Sequence, residues 1–284
     1  MRCFFMGQFL IFASNNKQRR NNSIIRVISF IVNLNIMSAW PLLRKPPVVT
    51  AIFQILYENN GQNLEDFLRI DKELRNMGFS HRTDNLEANV NVDKLDIPLG
   101  TSRISAITNT KLANYIYCSE DRKLKLTIGV NNITLVDETD YAGWDNYKTK
   151  TLSILNLLSP ILDGISILRT SIRFINQFSF MEFSNPMEYF RTTISAADGA
   201  VPFPVAKYAF RINLTVSDDI HSVVNHLLDK ASEKFIYIFD IDVLCRKTMP
   251  FNLSLIEEQM EILREAKNNI FFNNVTEKLI SLCN

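Results

Sequence analysis

The stretch from Gly164 to Asn176 alternates with period two and narrows the choice of conformation more than any other part of the chain. Arg169, Ser171 and Arg173 fall on one side of it, and Leu168, Thr170, Ile172, Phe174 and Asn176 on the other. Successive side chains of a strand point to opposite faces, so the pattern predicts a strand over 165–178 with one polar and one mainly apolar face. Just upstream, Tyr141, Trp144, Tyr147, Thr151, Ile154 and Leu158 recur at spacings of three or four. That is a helical stripe; Asp140 is the expected cap, and Pro160 and Gly164 punctuate its end. A helix delivered directly into a half-wet strand implies a sheet with helices laid against it.

The remaining chain uses the same vocabulary. Pro46-Pro47 precedes a β-branched and aromatic run over 48–57, and a helix opens at Asn63 with Leu64, Phe67, Leu68, Asp71 and Leu74 in phase and Gly78 as its stop. Residues 79–100 are polar, carry Pro98 and Gly100, and read as a long loop or irregular edge. Short strands are predicted over 103–108, 114–119, 122–130 and 133–136, with Asn131-Asn132 as a turn. Residues 181–204 hold Pro186, Pro202 and Pro204 and read as an insertion or connector. Beyond them come a strand over 208–216 and a helix over 217–232 with Ile220, Val223, Val224, Leu227 and Leu228 on one side. A strand over 235–243 follows, then a long helix opened by the capping box Ser254 to Glu257, and a short last helix starting from Asn274 to Glu277. The expected class is α+β: antiparallel sheet, with long helices packed on one face. Both halves run strands and then a strand into a helix. That order fits a diverged two-half architecture meeting near 180–204, although no residue-level repeat supports it.

Charge separates the first 36 residues from the rest. They contain Arg2, Lys17, Arg19, Arg20 and Arg26 and no acid, so the net charge of +1 leaves −4 on the remainder. Residues 3–13 are apolar after a basic start, as in a signal peptide, and a second apolar run over 24–36 is broken by Arg26, Asn33 and Asn35. Neither reaches the roughly 18 to 20 residues of a membrane span. We read 1–36 as a disordered or non-native extension, with Met37 as the start of a single α+β domain over 37–284; a secretion signal and a membrane anchor are the other two readings. A mildly acidic body gives no strong nucleic-acid signal, because such affinity rests on Lys and Arg neutralising phosphates. With 8 Gly in the whole chain, glycine-rich phosphate loops are not expected. Cys3, Cys118, Cys245 and Cys283 are isolated, and with His81, His221 and His226 they supply no zinc pattern, which fits reduced thiols in a cytoplasmic protein.

Two constellations remain. Asp240-Ile241-Asp242 ends a predicted strand, and period two places both carboxylates on one face beside Ile236 and Ile238. Paired acids of this kind can hold a divalent ion, or can serve as ion-pair partners. Arg169 and Arg173 share a face, and Arg211, Asn213 and Thr215 make a similar polar row opposite Phe210, Ile212, Leu214 and Val216. If these strands share a sheet, Arg169, Arg173 and Arg211 lie together with Asp240 or Asp242 in reach, as a structural Arg–Asp network or a binding surface. His221 and His226, five apart on a predicted helix, diverge too far to share a metal and read as surface residues. Tyr141, Trp144 and Tyr147 read as a packing stripe rather than a base-stacking platform.

An ordered set of segments carries a resemblance: Lys45-Pro46-Pro47-Val48-Val49-Thr50-Ala51-Ile52-Phe53, then Asp140 to Tyr147, Leu168 to Asn176, Phe239 to Val243, and a terminal helix pair. In this order they resemble a sporadically distributed family of bacterial proteins of unknown function, over about residues 44–282. The family's strand motif usually has Tyr before Ile-Asn, where this chain has Phe174. The resemblance implies no catalytic residue; a patchy distribution of that kind is typical of defence-associated or mobile genes. The functional expectation is a non-catalytic binding or accessory protein with another protein as partner, no cofactor and no metal. The alternative is a metal-dependent enzyme acting on nucleotide or nucleic acid through Asp240 and Asp242.

Overall fold

A computed structural model describes residues 40–91, 107–183, 185–194 and 205–284. The extension over 1–36 and the start at Met37 lie outside the described residues. Leu43–Asn284 forms one compact unit, built on a mixed α+β plan around one large antiparallel sheet.

The strands are β1 (Val48–Tyr57), β2 (His81–Asn91), β3 (Ile107–Cys118), β4 (Leu124–Gly129), β5 (Asn132–Asp137), β6 (Ser166–Phe180), β7 (Lys207–Thr215), β8 (Ile220–Ala231), β9 (Lys234–Cys245) and the two-residue β10 (Met249–Pro250). Their order across the sheet is β2-β3-β4-β5-β1-β6-β9-β8-β7, with β10 also on β6. The first stretch of chain and the part beyond 180–204 therefore share one continuous sheet, joined where β6 pairs with both β1 and β9.

A 3₁₀ segment, Leu64–Ile70, runs into the short helix α1 (Asp71–Asn76) where one helix is expected. Helix α2 (Trp144–Leu158) buries Trp144, Tyr147, Thr151, Ile154, Leu155 and Leu158, which is the predicted stripe with Leu155 added. Its N-cap is Gly143 at φ 99°, not Asp140. Helix α3 (Leu253–Asn274) is capped by Asn252, whose side chain accepts from the Leu255 N–H, so the cap stands two residues ahead of the expected Ser254. Helix α4 (Glu277–Leu282) is capped by Thr276.

Three strand assignments correct the sequence reading. Where two short strands are expected over 103–108 and 114–119, β3 runs unbroken from Ile107 to Cys118, and 103–106 lie outside the described residues. Residues 217–232 are not helical: 220–231 form β8, the central partner of β7 and β9. Ile220, Val223, Val224, Leu227 and Leu228 match a helical stripe, but they equally match a strand apolar on both sides. The turns decide it. The Val216 and Ser217 N–H groups both bond Ile220 O, and Ser232 adopts φ 56° at the hairpin into β9. Residues 81–91, read as part of a loop, form the edge strand β2; residues 81–87 are exposed, so no apolar alternation marked them.

The register separates two sides of the sheet. On one lie Phe53, Ile55 and Tyr57 of β1, Ile172 and Phe174 of β6, and Phe239, Ile241 and Val243 of β9, all buried. Trp144 and Tyr147 of α2 pack on Phe174, and Phe271 of α3 stacks on Phe239. Trp144 and Tyr147 are thus packing residues. They are fastened by a polar tie in which Glu261 of α3 accepts from Trp144 Nε1 and Lys148 Nζ at 2.8 Å each and from Arg264 at 3.2 Å.

Candidate functional site

The other side of the sheet carries the polar residues. Because side chains opposite each other in an antiparallel ladder share a face, the register generates cross-strand rows. One row runs Lys125, Val136, Ile52, Arg173, Asp242, Val223, Asn213 from β4 to β7. The next runs Ile175, Asp240, Asn225, Arg211. A third includes Thr134, Gln54, Ser171 and Leu244.

Arg173 donates from Nε to Asp240 Oδ1 at 2.8 Å and from Nη2 to Asp240 Oδ2 at 2.7 Å, a two-pronged pair that matches the planar fork of guanidinium to carboxylate. Asn225 Nδ2 adds a third bond to Oδ2 at 2.9 Å. Asp240 is 5% exposed, so the burial that disfavours its charge is offset by three donors. These bonds raise the guanidinium's affinity for its proton above the ordinary arginine value.

Asp242 is arranged differently. It lies two residues along β9, inside the strand rather than at its end, because β9 continues to Cys245. Its Oδ1 is buried without a hydrogen-bond partner among the described residues. Burial raises its carboxyl above the usual range and Asp240 adds to the rise, while Arg173, Arg169 and Arg211 oppose it. All three arginines therefore act on one carboxyl.

Arg169 donates from Nη2 to Gln54 Oε1, and Gln54 Nε2 donates to Thr134 Oγ1 at 2.8 Å, which ties β6, β1 and β5. The Nε of Arg169 is buried and has no partner among the described residues. Arg211 stands exposed opposite Asn225 on β7 and makes no ion pair with a described residue. The structure thus joins Arg173 to Asp240 directly and gathers Arg169, Arg211 and Asp242 around them. Among the described residues no group of three or more His, Cys, Asp or Glu side chains is placed to hold a metal ion.

Sequence reasoning misplaced His226. It is not a surface helix residue but a fully buried member of β8, at 0% exposure. Its ring lies between Phe210 at 4.5 Å and Phe239 at 4.6 Å. Nδ1 lies 2.8 Å from the Tyr237 hydroxyl, Nε2 has no partner among the described residues, and burial lowers its pKa to about 4. The signal was Ile220, Ser222, Val224, His226 and Leu228 at period two. Lys267 of α3 was also unread: its Nζ sits 4.6 Å from the centre of the Phe174 ring, and burial lowers its pKa to about 7, with Arg264 adding to the effect.

Among the described residues, no helix is long and apolar enough to cross a membrane. Comparison with family models, curated proteins and solved structures finds no match to this chain.

Proposed function

We propose that this chain is a non-catalytic binding or accessory protein whose partner, another protein, docks on the sheet face bearing Arg169, Arg173, Arg211, Asp240 and Asp242. The observation that supports this is the contrast between the two faces. Helices α2 and α3 lie against the Phe174 and Phe239 side, and we read the helices as sharing that one face. Across the opposite face, Ile52, Val136, Ile175, Val223, Leu227 and Ile238 are half-buried by one another and interleave with the arginine cluster. A face that is apolar but threaded with arginine has the composition of an interface core. Asp240 argues against a metal-centred role, because Arg173 supplies the positive charge that a cation would supply. As part of the same proposal, the resemblance to a bacterial family supports a defence or mobile-element setting. The free thiols of Cys118, Cys245 and Cys283 fit a cytoplasmic location.

The test is affinity capture from the native host with wild type, Val136→Glu and Leu227→Lys. Both substitutions sit on this face, clear of the Arg173–Asp240 pair. A partner retained by wild type and lost by both variants, with melting temperatures kept, is the expected result. Equal capture by all three would overturn the reading.

A further inference from the structure

We propose that the partner engages this protein by strand addition, laying an extended acidic segment along the edge of β7 that no described strand pairs. The inference rests on the protein-binding reading above and names its mode. Among the described residues β7 pairs only with β8. The Lys230 N–H bonds Ala206 O at one end of that pairing, and the Val216 N–H bonds Ile220 O at the other. Ladder bonds alternate along an antiparallel strand, so even-numbered residues turn their backbone groups to β8. Lys207, Ala209, Arg211, Asn213 and Thr215 then direct theirs outward, and their side chains are exposed.

The two edges of the sheet differ. Natural edge strands are blunted by bulges, prolines or charge. Edge β2 has a register break between Asn85 and Leu86 and carries Asp84 and Glu87. Edge β7 holds an unbroken register with β8 over nine residues, without proline. Its outward-facing set contains two cations and no acid; Lys207 is already paired with Asp229 of β8 at 2.8 Å, which leaves Arg211 as the charge that selects against a second copy of itself and for an acidic strand. Arg211 is the focus: it is exposed, and its row leads directly to Asn225 and Asp240. An incoming carboxylate beside Arg211 would extend the row by one strand, and main-chain bonds would supply affinity as in other strand-addition complexes.

The test uses the full chain and two end-blocked nine-residue peptides, one alternating Glu with Val and one alternating Lys with Val, followed by residue-resolved amide exchange. The acidic peptide is expected to slow exchange at Lys207, Ala209, Arg211, Asn213 and Thr215 and to bind at least about tenfold tighter than the basic one. Ala209→Pro, which removes one outward donor and spares the bonds to β8, should lose that binding with melting temperature kept; Arg211→Glu should reverse the peptide preference. Equal binding of both peptides, or slowed exchange elsewhere, would overturn the proposal. So would peptide-independent protection of β7 that grows with protein concentration, which would make the occupant a second copy. If the edge fails while Val136→Glu and Leu227→Lys still abolish partner capture, strand addition falls and the face reading stands. If those variants also leave capture unchanged, both fall.

Discussion

Arg173 lies directly opposite Asp242 in the β6–β9 ladder, yet its guanidinium grips the diagonal neighbour Asp240. Asp240 is the more deeply buried carboxylate and needs the charge, while Arg173 is 42% exposed and can reach along the sheet. Removing one partner of a buried pair leaves an uncompensated charge, normally worth about 3–5 kcal/mol, and the exposure of the arginine reduces that. Arg173→Ala should therefore destabilise the protein by about 1–3 kcal/mol in urea unfolding. Arg211→Ala, on the exposed edge, should stay within about 0.5 kcal/mol of wild type.

The two aspartates should respond to neutralisation with opposite signs. Asp240→Asn weakens three bonds from Arg173 and Asn225 and should lower the melting temperature. Asp242→Asn removes a charge that burial disfavours and whose Oδ1 has no partner among the described residues, so at pH 7 it should be neutral or stabilising by on the order of 1 kcal/mol. A raised carboxyl pKa means the folded state binds the proton more readily than the unfolded state. The advantage of Asp242→Asn should therefore shrink as pH falls through the carboxylate range. Melting curves of both variants at pH 7 and pH 4 check this.

Strands with one wet and one dry face were legible because burial alternates with chemistry: β6 and β7 emerge from Ile, Phe and Leu set against Arg, Ser and Asn, while β1 and β9 emerge as short β-branched and aromatic apolar runs. β8 was not legible, because Ile220, Val223, Val224, Leu227 and Leu228 fall at helical spacings as well as on both sides of a strand. β2 failed for the opposite reason, since exposed Thr83, Asn85 and Glu87 leave no dry face to detect. Alternation brought Arg173 and the aspartates to one face, but the choice of Asp240 over Asp242 depends on register and depth, which arise only when β6 and β9 pair. Helix caps shifted because the chain enters α2 through a positive-φ glycine and α3 through Asn252, and backbone geometry of that kind leaves only weak marks in residue type.

His226 should make stability depend on pH between 6.5 and 4. Its folded pKa of about 4 lies below the ordinary 6.5, so the unfolded chain binds a proton that the folded chain refuses. Stability is fully present above pH 6.5 and falls as pH drops through this window, by up to about 3 kcal/mol from this residue alone. His226→Phe keeps a flat ring between Phe210 and Phe239 and should remove most of the slope. Denaturant midpoints of wild type and variant at pH 7 and pH 5 measure the difference before most carboxylates titrate.

Lys267 offers the corresponding test at higher pH. Its ammonium lies over Phe174 and among α3 residues where burial and Arg264 both disfavour the charge. A lysine lowered to about 7 is largely neutral at pH 8, while its unfolded counterpart is still protonated. The unfolded state then binds more protons, so stability from this group rises with pH between about 7 and 10. Lys267→Met keeps the aliphatic stem packed on Phe174 and removes the charge. It should stabilise the protein most at pH 7 or below and progressively less toward pH 9. Amine-selective labelling read by mass spectrometry gives a second check, because Lys267 should react at a lower pH than the exposed lysines. A Lys267→Met variant that loses stability by the same amount across that range would show that the ammonium is solvated and that cation–π contact with Phe174 is the main interaction.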